Sequence, residues 1–269
     1  VDLMLEMGLA LSGAALRGPS WSPAALFRGG ANGFWLDPGR IAGVWQDAAG
    51  TVPATAAGQP VGLISDLSGM VHDFAQGTSA ARPTLQQDAG GRHYLQFDGV
   101  DDWLSTPSFA WGSDAVTIIA ALARNQSVNL EDLAGQSANP PGNAGTWVLA
   151  ATYDASSNTV GFASRGSGGS APGRASTTLP GSRVVITGQG KVGIDTAIIR
   201  RNGVQVGSSS VDQGSGEFGS YPVFIGARGG SMRFFNGALY GLLAINRLLT
   251  AEELTLAEGW AAARGGVAA

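Results

Sequence analysis

The stretch from 221 to 264 constrains the fold more than any other part of the chain. It reads YPVFIGARGGSMRFFNGALYGLLAINRLLTAEELTLAEGWAAAR. Two extended runs, 221–227 and 238–246, are separated by Gly226, Gly229, Gly230, Asn236 and Gly237. Strict alternation over the second run would put Leu239, Leu243 and Ile245 on one face and Tyr240, Leu242 and Ala244 on the other. Apolar residues on both faces predict a central strand covered on both sides. A helix follows at once. Thr250 and Glu253 have the capping-box spacing, in which each side chain satisfies an orphan backbone N–H of the first turn. Leu254, Ala257 and Ala261 form one helical stripe with Leu256 and Trp260 beside it. Gly265 and Gly266 can end the helix in a left-handed turn. Glu252, Glu253 and Glu258 are expected to be solvated, and the helix is expected to act as a lid on an edge or end of the sheet structure.

The rest of the chain is built of short extended pieces. Runs at 34–36, 44–47, 61–66, 94–97, 100–104, 116–123, 147–153, 159–163, 183–187, 191–200 and 204–206 are joined by turn residues. Asn202-Gly203 is the strongest local hairpin signal, because both central residues of a type I′ turn need positive φ. Glycine numbers 42 of 269 residues and charged residues are only 13%, as many tight turns between many short strands require. Ser22-Pro23 begins a single helical turn near residue 24. Residues 124–146 and 164–182 read as long loops, the first with a short helix or strand near 130–133 and the second with a short strand at 175–178. Strands do not alternate with helices, which disfavours a parallel sheet. The fold class is therefore all-β, an antiparallel two-sheet sandwich with a C-terminal helix.

Residues 1–20 stand apart. Leu3, Leu5, Met7, Leu9 and Leu11 alternate with mostly small or polar residues, and Gly8, Gly13 and Gly18 disfavour a helix. We read 1–30 as an extended attachment segment and 31–269 as one domain. The segment either pairs onto the chain's own sheet edge or attaches to another subunit.

Composition excludes several functions. The net charge is −4 and the densest cationic spots are Arg200-Arg201 and the separated Arg228 and Arg233, so phosphate-driven nucleic-acid binding is not expected. Cysteine is absent, which removes disulfides and thiolate metal sites. No apolar run reaches the roughly 18 residues of a membrane span. A charged segment before the apolar N-terminal stretch is missing, so a secretory signal is not expected.

Several motifs carry a family resemblance. Tyr94-Leu95-Gln96-Phe97-Asp98-Gly99-Val100-Asp101-Asp102, Arg201-Asn202-Gly203-Val204, Phe235-Asn236-Gly237-Ala238-Leu239-Tyr240-Gly241-Leu242 and Leu249-Thr250-Ala251-Glu252-Glu253-Leu254 resemble, in order and spacing, the signatures of laminin-G-like (LamG-like), concanavalin A-like jelly rolls. Gly33-Phe34-Trp35-Leu36-Asp37-Pro38, Gln46-Asp47-Ala48-Ala49-Gly50-Thr51 and Gly58-Gln59-Pro60-Val61-Gly62 resemble the opening of such domains in tailed-phage and prophage structural proteins. The resemblance implies a virion localisation, in a tail-fibre or tail-tip appendage. The expected partners are other virion subunits and a host-surface carbohydrate, in a homo-oligomer. A ligand-free structural spacer and a carbohydrate-active enzyme are the alternatives.

Candidate glycan-contacting side chains are Trp103, Trp111, Trp147 and Tyr221, with Arg165 and Arg174 in the second long loop, although most of the seven tryptophans are expected in the core, where large aromatics dominate burial. As regions, loops 124–146 and 164–182 are favoured, because recognition usually sits on loops held by a rigid scaffold. Asp98, Asp101 and Asp102 form the only dense carboxylate group. Their spacing matches no defined calcium loop. The structural reading is that Asp98 makes an Asx turn and one of the others caps backbone N–H groups, with calcium as the alternative. No metal, cofactor or catalytic residue is assigned. Retaining glycoside hydrolysis needs two carboxylates about 5 Å apart, and no E-x-D-x-E run exists. Glu131 and Asp132 are adjacent and would point to opposite faces of a strand. His72 and His93 have no nucleophile motif beside them, and Asn125-Gln126-Ser127 is a three-residue glycosylation match only.

Overall fold

The computed structural model describes residues 21–125, 129–140, 142–154, 158–179 and 182–267. The alternating segment predicted within 1–20 lies outside them. The described part is an antiparallel sandwich. One sheet has eight strands, in the order Val204–Ser209, Thr196–Arg201, Val184–Lys191, Ala115–Arg124, Asn236–Ile245, His93–Asp98 and Thr84–Gln87, with Gly33–Leu36 also on Asn236–Ile245. The other has nine, in the order Gly173–Thr178, Thr159–Arg165, Thr146–Thr152, Glu131–Gln136, Val223–Ile225, Leu104–Ser105, Phe74–Ala75, Leu63–Ile64 and Val44–Trp45.

Asn236–Ile245 is the central strand its two apolar faces predict. Its first half pairs with His93–Asp98, its second half with Gly33–Leu36, and its other edge with Ala115–Arg124. Strict alternation fails at one point. The register shifts between Leu239 and Gly241, and such a bulge reverses which face each later residue occupies. Leu239, Leu242 and Ala244 therefore share the core between the sheets. Tyr240, Leu243 and Ile245 share the opposite side. The expected grouping of Leu239 with Leu243 and Ile245 is corrected accordingly.

Two apolar clusters result. Phe34, Phe97, Trp111, Ile118, Trp147, Phe162 and Phe235 fill the space between the sheets. The second cluster lies on the outer face of the eight-stranded sheet, where Ile119, Ala121, Val185 and Leu243 meet Leu254, Ala257 and Ala261 of the helix Ala251–Gly265. The helix thus lies on the face of the sheet, across its strands Val184–Lys191, Ala115–Arg124 and Asn236–Ile245, not on an edge or end. Trp35, Leu26 and Phe27 join this cluster, so the short 3-10 turn Pro23–Phe27 packs on the body. Burying each such side chain contributes about 1.5–3 kcal/mol.

The helix ends as its sequence predicts. Thr250 and Glu253 form both halves of the capping box, and Gly266 closes the helix at φ 63°. Leu256 faces solvent. Glu258 does not: it is buried, accepting from Thr187 Oγ1 at 2.8 Å and Arg200 Nε at 2.8 Å. Arg264, in the last turn, reaches the buried Asp37 carboxylate at 2.9 Å, tying the helix to the strand Gly33–Leu36.

Turn chemistry accounts for the other differences. Asn202 and Gly203 take φ of 48° and 82°, as a type I′ turn demands. The run 191–200 is not one strand. It is broken by the 3-10 turn Val192–Ile194 and by Asp195 at φ 50°. The Asp114 carboxylate stabilises that turn, accepting from Gly193 N at 2.9 Å. The run 221–227 divides at Pro222 into Ser220–Tyr221 and Val223–Ile225, which pair with different partners. Only Leu104–Ser105 of the run 100–104 is strand. Loop 124–146 contains the fully buried strand Glu131–Gln136, and loop 164–182 contains Gly173–Thr178. Among the described residues no helix is long and apolar enough to cross a membrane.

Candidate functional site

Among the described residues no helix lies on the outer face of the nine-stranded sheet, and at one end this face is concave. Successive residues of a strand point to opposite faces. Leu149, Phe162 and Ala175 lie across from one another and face the core. Val148, Ala163 and Arg174, the next row across the same strands, therefore face outward. Thr146 and Arg165 form the row beyond. Tyr153 follows the end of Thr146–Thr152, and its ring lies against Gly161. A Cβ at 161 would collide with that ring, so the glycine sets how closely the tyrosine approaches the strand.

A buried ion pair closes one side. Pairing between Glu131–Gln136 and Thr146–Thr152 shifts register on both sides of Asp132. Glu131 points to Arg124, at 3.3 Å, and accepts from Asn236 N at 3.3 Å. Asp132 points the other way, as adjacent strand residues should. It takes a bidentate pair of hydrogen bonds from Arg228, 2.7 Å from Nε and 3.3 Å from Nη2. Arg233 lies 3.8 Å from the same carboxylate. The tight turn between Arg228 and Met232 brings both arginines to one place. Arg233 holds φ 54°, a left-handed conformation that costs a non-glycine residue on the order of 1 kcal/mol.

Together these residues line a cleft of about 230 Å³, with Pro140 and Pro172 on its rim. That volume suits one small-ligand site, not an extended groove. Arg174 sits over the Tyr153 ring at 5.9 Å, a cation–π arrangement. Burial raises the Tyr153 hydroxyl above its ordinary pKa, opposed by Arg174 and Arg233. Burial also raises the Asp132 carboxyl, opposed first by Arg228 and then by Arg233. The Arg233 guanidinium is lowered by burial, with Asp132 opposing. None of the described residues lining the cleft is a carboxylate, and Asp132 sits behind its arginines. The acid-and-nucleophile pair of a glycoside hydrolase is not assembled there.

The two long loops predicted as recognition regions meet in this cleft, Pro140 and Thr146 from the first and Arg165, Pro172 and Arg174 from the second. The tryptophan candidates fare differently. Trp111 and Trp147 are fully buried with ring centroids 5.2 Å apart, so both are core residues and present no face to a ligand. Trp103 is half-buried beside Phe224, with centroids 5.8 Å apart. Tyr221 is half-buried and donates to Ala144 O at 3.2 Å. Sequence reasoning missed Tyr153 and the convergence of Arg228 and Arg233. The signal for the latter was the Arg-Gly-Gly-Ser-Met-Arg spacing, in which a tight turn returns the second arginine beside the first.

The aspartate group behaves as its turn chemistry predicts. Asp98 Oδ1 accepts from Val100 N at 2.8 Å and Asp101 N at 3.3 Å, and Asp102 Oδ2 accepts from Asp98 N at 3.0 Å. The carboxylates lie within 4.8 Å of one another. Burial, and then the neighbouring Asp98, push the Asp102 carboxyl up to about 6. His72 stacks on Phe109 at 3.7 Å and its Nε2 lies 2.9 Å from Asn32 Oδ1. Both contacts are structural.

Comparison with known proteins places the fold. A family model described as the concanavalin A-like lectin/glucanases superfamily matches residues 98–255, more than half of the chain. A search of curated proteins finds no match. Similar solved structures include the binding domain of botulinum neurotoxin DC in complex with SialylT, at TM-score 0.53 and 12% identity, covering 74% of this chain and 48% of that one. The binding domain of botulinum neurotoxin serotype D has TM-score 0.54 and 8% identity, covering 84% and 51%. The binding domain of Paraclostridial Mosquitocidal Protein 1 has TM-score 0.52 and 13% identity, covering 72% and 49%. The chain spans about half the length of these structures, and at such identities the likeness is one of fold.

Proposed function

The chain belongs to the concanavalin A-like lectin/glucanases superfamily, and from that premise we propose that it is a non-catalytic saccharide-binding domain. Its ligand site is the cleft on the open face of the nine-stranded sheet. The observation that carries this reading is the cleft itself. It combines an aromatic ring, apolar strand residues and several guanidinium groups on a rigid sheet, with no carboxylate pair to cleave what binds. The similar toxin domains are described as binding domains, one of them in complex with SialylT, and this supports a glycan ligand. We place the domain in a phage or prophage virion appendage on the resemblance of its opening motifs. There the residues ahead of the turn Pro23–Phe27, which itself packs on the body, attach it to other virion subunits as part of a homo-oligomer, and the cleft meets the host surface.

A glycan array probed with purified protein tests the binding reading. Reproducible binding that is lost on filling the cleft with Ala163→Trp supports it. Silence across bacterial-surface and animal glycans contradicts it and favours a spacer. The attachment reading has a separate test. Deleting residues 2–20 is expected to abolish incorporation into particles while leaving the sandwich folded, and normal incorporation would sink it.

A further inference from the structure

The cleft's hydrogen-bonding inventory is one-sided. Arg174 is exposed and has no carboxylate partner among the described residues. Arg165 donates from Nη2 to Asn143 O at 2.6 Å, and its buried Nε has no partner among the described residues. The buried Tyr153 hydroxyl has none either. The Asp132 carboxylate behind the cleft is already held by two donors from Arg228. Arg233, at 3.8 Å from it, is too far for a hydrogen bond. Against the four arginines of the cleft its described lining offers no carboxylate, and Asp132 behind them is shared by Arg228 and Arg233, in a protein whose net charge is −4. A guanidinium has only donors. The groups left over are thus donors of positive charge beside an apolar floor of Val148 and Ala163.

We infer that the cleft selects an acidic saccharide, whose carboxylate or sulfate group is taken by Arg174 and Arg233 while its ring packs on Val148, Ala163 and the Tyr153 edge. The inference rests on the saccharide-binding reading above and specifies the class of ligand. Guanidinium groups match oxyanions through paired N–H donors, whereas a neutral sugar needs donors and acceptors alternating along its hydroxyls. Arg165 lines the same cleft and adds to its positive charge. Nucleic acid would present a longer run of phosphates than a single compact cleft engages.

The experiment is a calorimetric comparison of matched pairs on the full chain. The probes are an oligogalacturonate and its carboxyl-reduced form, sialyllactose and lactose, and a sulfated oligosaccharide with its desulfated form. At least one acidic member is expected to bind at least tenfold more tightly than its neutral counterpart, and which pair shows the difference identifies carboxylate or sulfate. Arg174→Gln and Arg233→Gln should each erase that difference. Arg174 is on the surface, so its variant is expected to keep the wild-type melting temperature, and loss of discrimination there cannot be ascribed to misfolding. Equal affinity for acidic and neutral members overturns this inference and leaves the saccharide-binding reading standing. Discrimination that persists in both variants also overturns it. Failure of every probe to bind overturns both.

Discussion

Two buried carboxylate–arginine pairs, Glu258–Arg200 under the helix and Asp132–Arg228 on the open face, differ in what surrounds them. Under the helix, Glu258 is met by Arg200 and by the Thr187 hydroxyl, and Val185, Ala262 and Val267 lie around them with the uncharged Asn202 and Thr255. On the open face, Asp132 is met by Arg228, with Arg233 close by and Arg165 and Arg174 lining the same cleft. The first pair is closed, one cation to one anion. The second belongs to a group with cations to spare. Burying an ion pair gives little net stability when desolvation is counted. The pair at Glu258 is thus explained as a way to seat the helix in one register. The surplus at Asp132 finds no such explanation in the fold, and it is there that a ligand is placed.

This contrast can be broken by substitution. The largest effect is expected for Asp132→Ala, which leaves the buried Arg228 without its counter-charge. Breaking a buried pair from one side costs about 3–5 kcal/mol, read as a lower urea midpoint, and a change below about 1 kcal/mol would mean that the cleft relaxes freely. Leu243→Ala, under the helix, is expected to cost about 2–5 kcal/mol through the cavity it leaves and to leave saccharide affinity unchanged. Loss of affinity there would show that the two faces are coupled. Thr250→Ala removes one half of the capping box and is expected to cost about 1 kcal/mol, with hydrogen-exchange protection falling first in the helix.

A separate effect concerns the aspartate turn, outside both faces. The folded Asp102 carboxyl lies at about 6 against an ordinary value of 3.8. Between those values the native state binds more protons than the unfolded chain, so this group's contribution to stability is greatest below the lower value and is lost as pH rises through the higher. Asp102→Asn keeps an acceptor for Asp98 N–H and removes the charge. It should flatten the decline in melting temperature between pH 4 and 6.5 and raise stability at neutral pH. An unchanged pH profile would refute the assignment.

What could be read from the chain divides along the same line. The helix-covered face was readable because its signals are local: the capping box at Thr250, the stripe Leu254–Ala257–Ala261, and apolar residues on both faces of the closing strand. Even there the bulge after Leu239 reversed the phase, since an extra residue in a strand leaves no mark on an apolar run. Glu258 looked solvated because its partners, Thr187 and Arg200, lie far away in sequence. The open face was hardly readable at all. Arg165 and Arg174 were noticed as loop residues, but Tyr153, Arg228 and Arg233 come from other strands and turns and meet only through pairing register. Trp111 and Trp147 misled for the opposite reason: a large aromatic has the same letter in a core and on a platform.

Hydrogen–deuterium exchange of the full chain, free and saturated with the tightest-binding acidic saccharide, tests the division of the two faces most directly. The account predicts new protection confined to the segments around 146–153, 163–174 and 228–233, with the helix 251–265 and the aspartate turn 98–102 unchanged. Protection centred on the helix or on the aspartate turn, with the cleft segments unaltered, would contradict it.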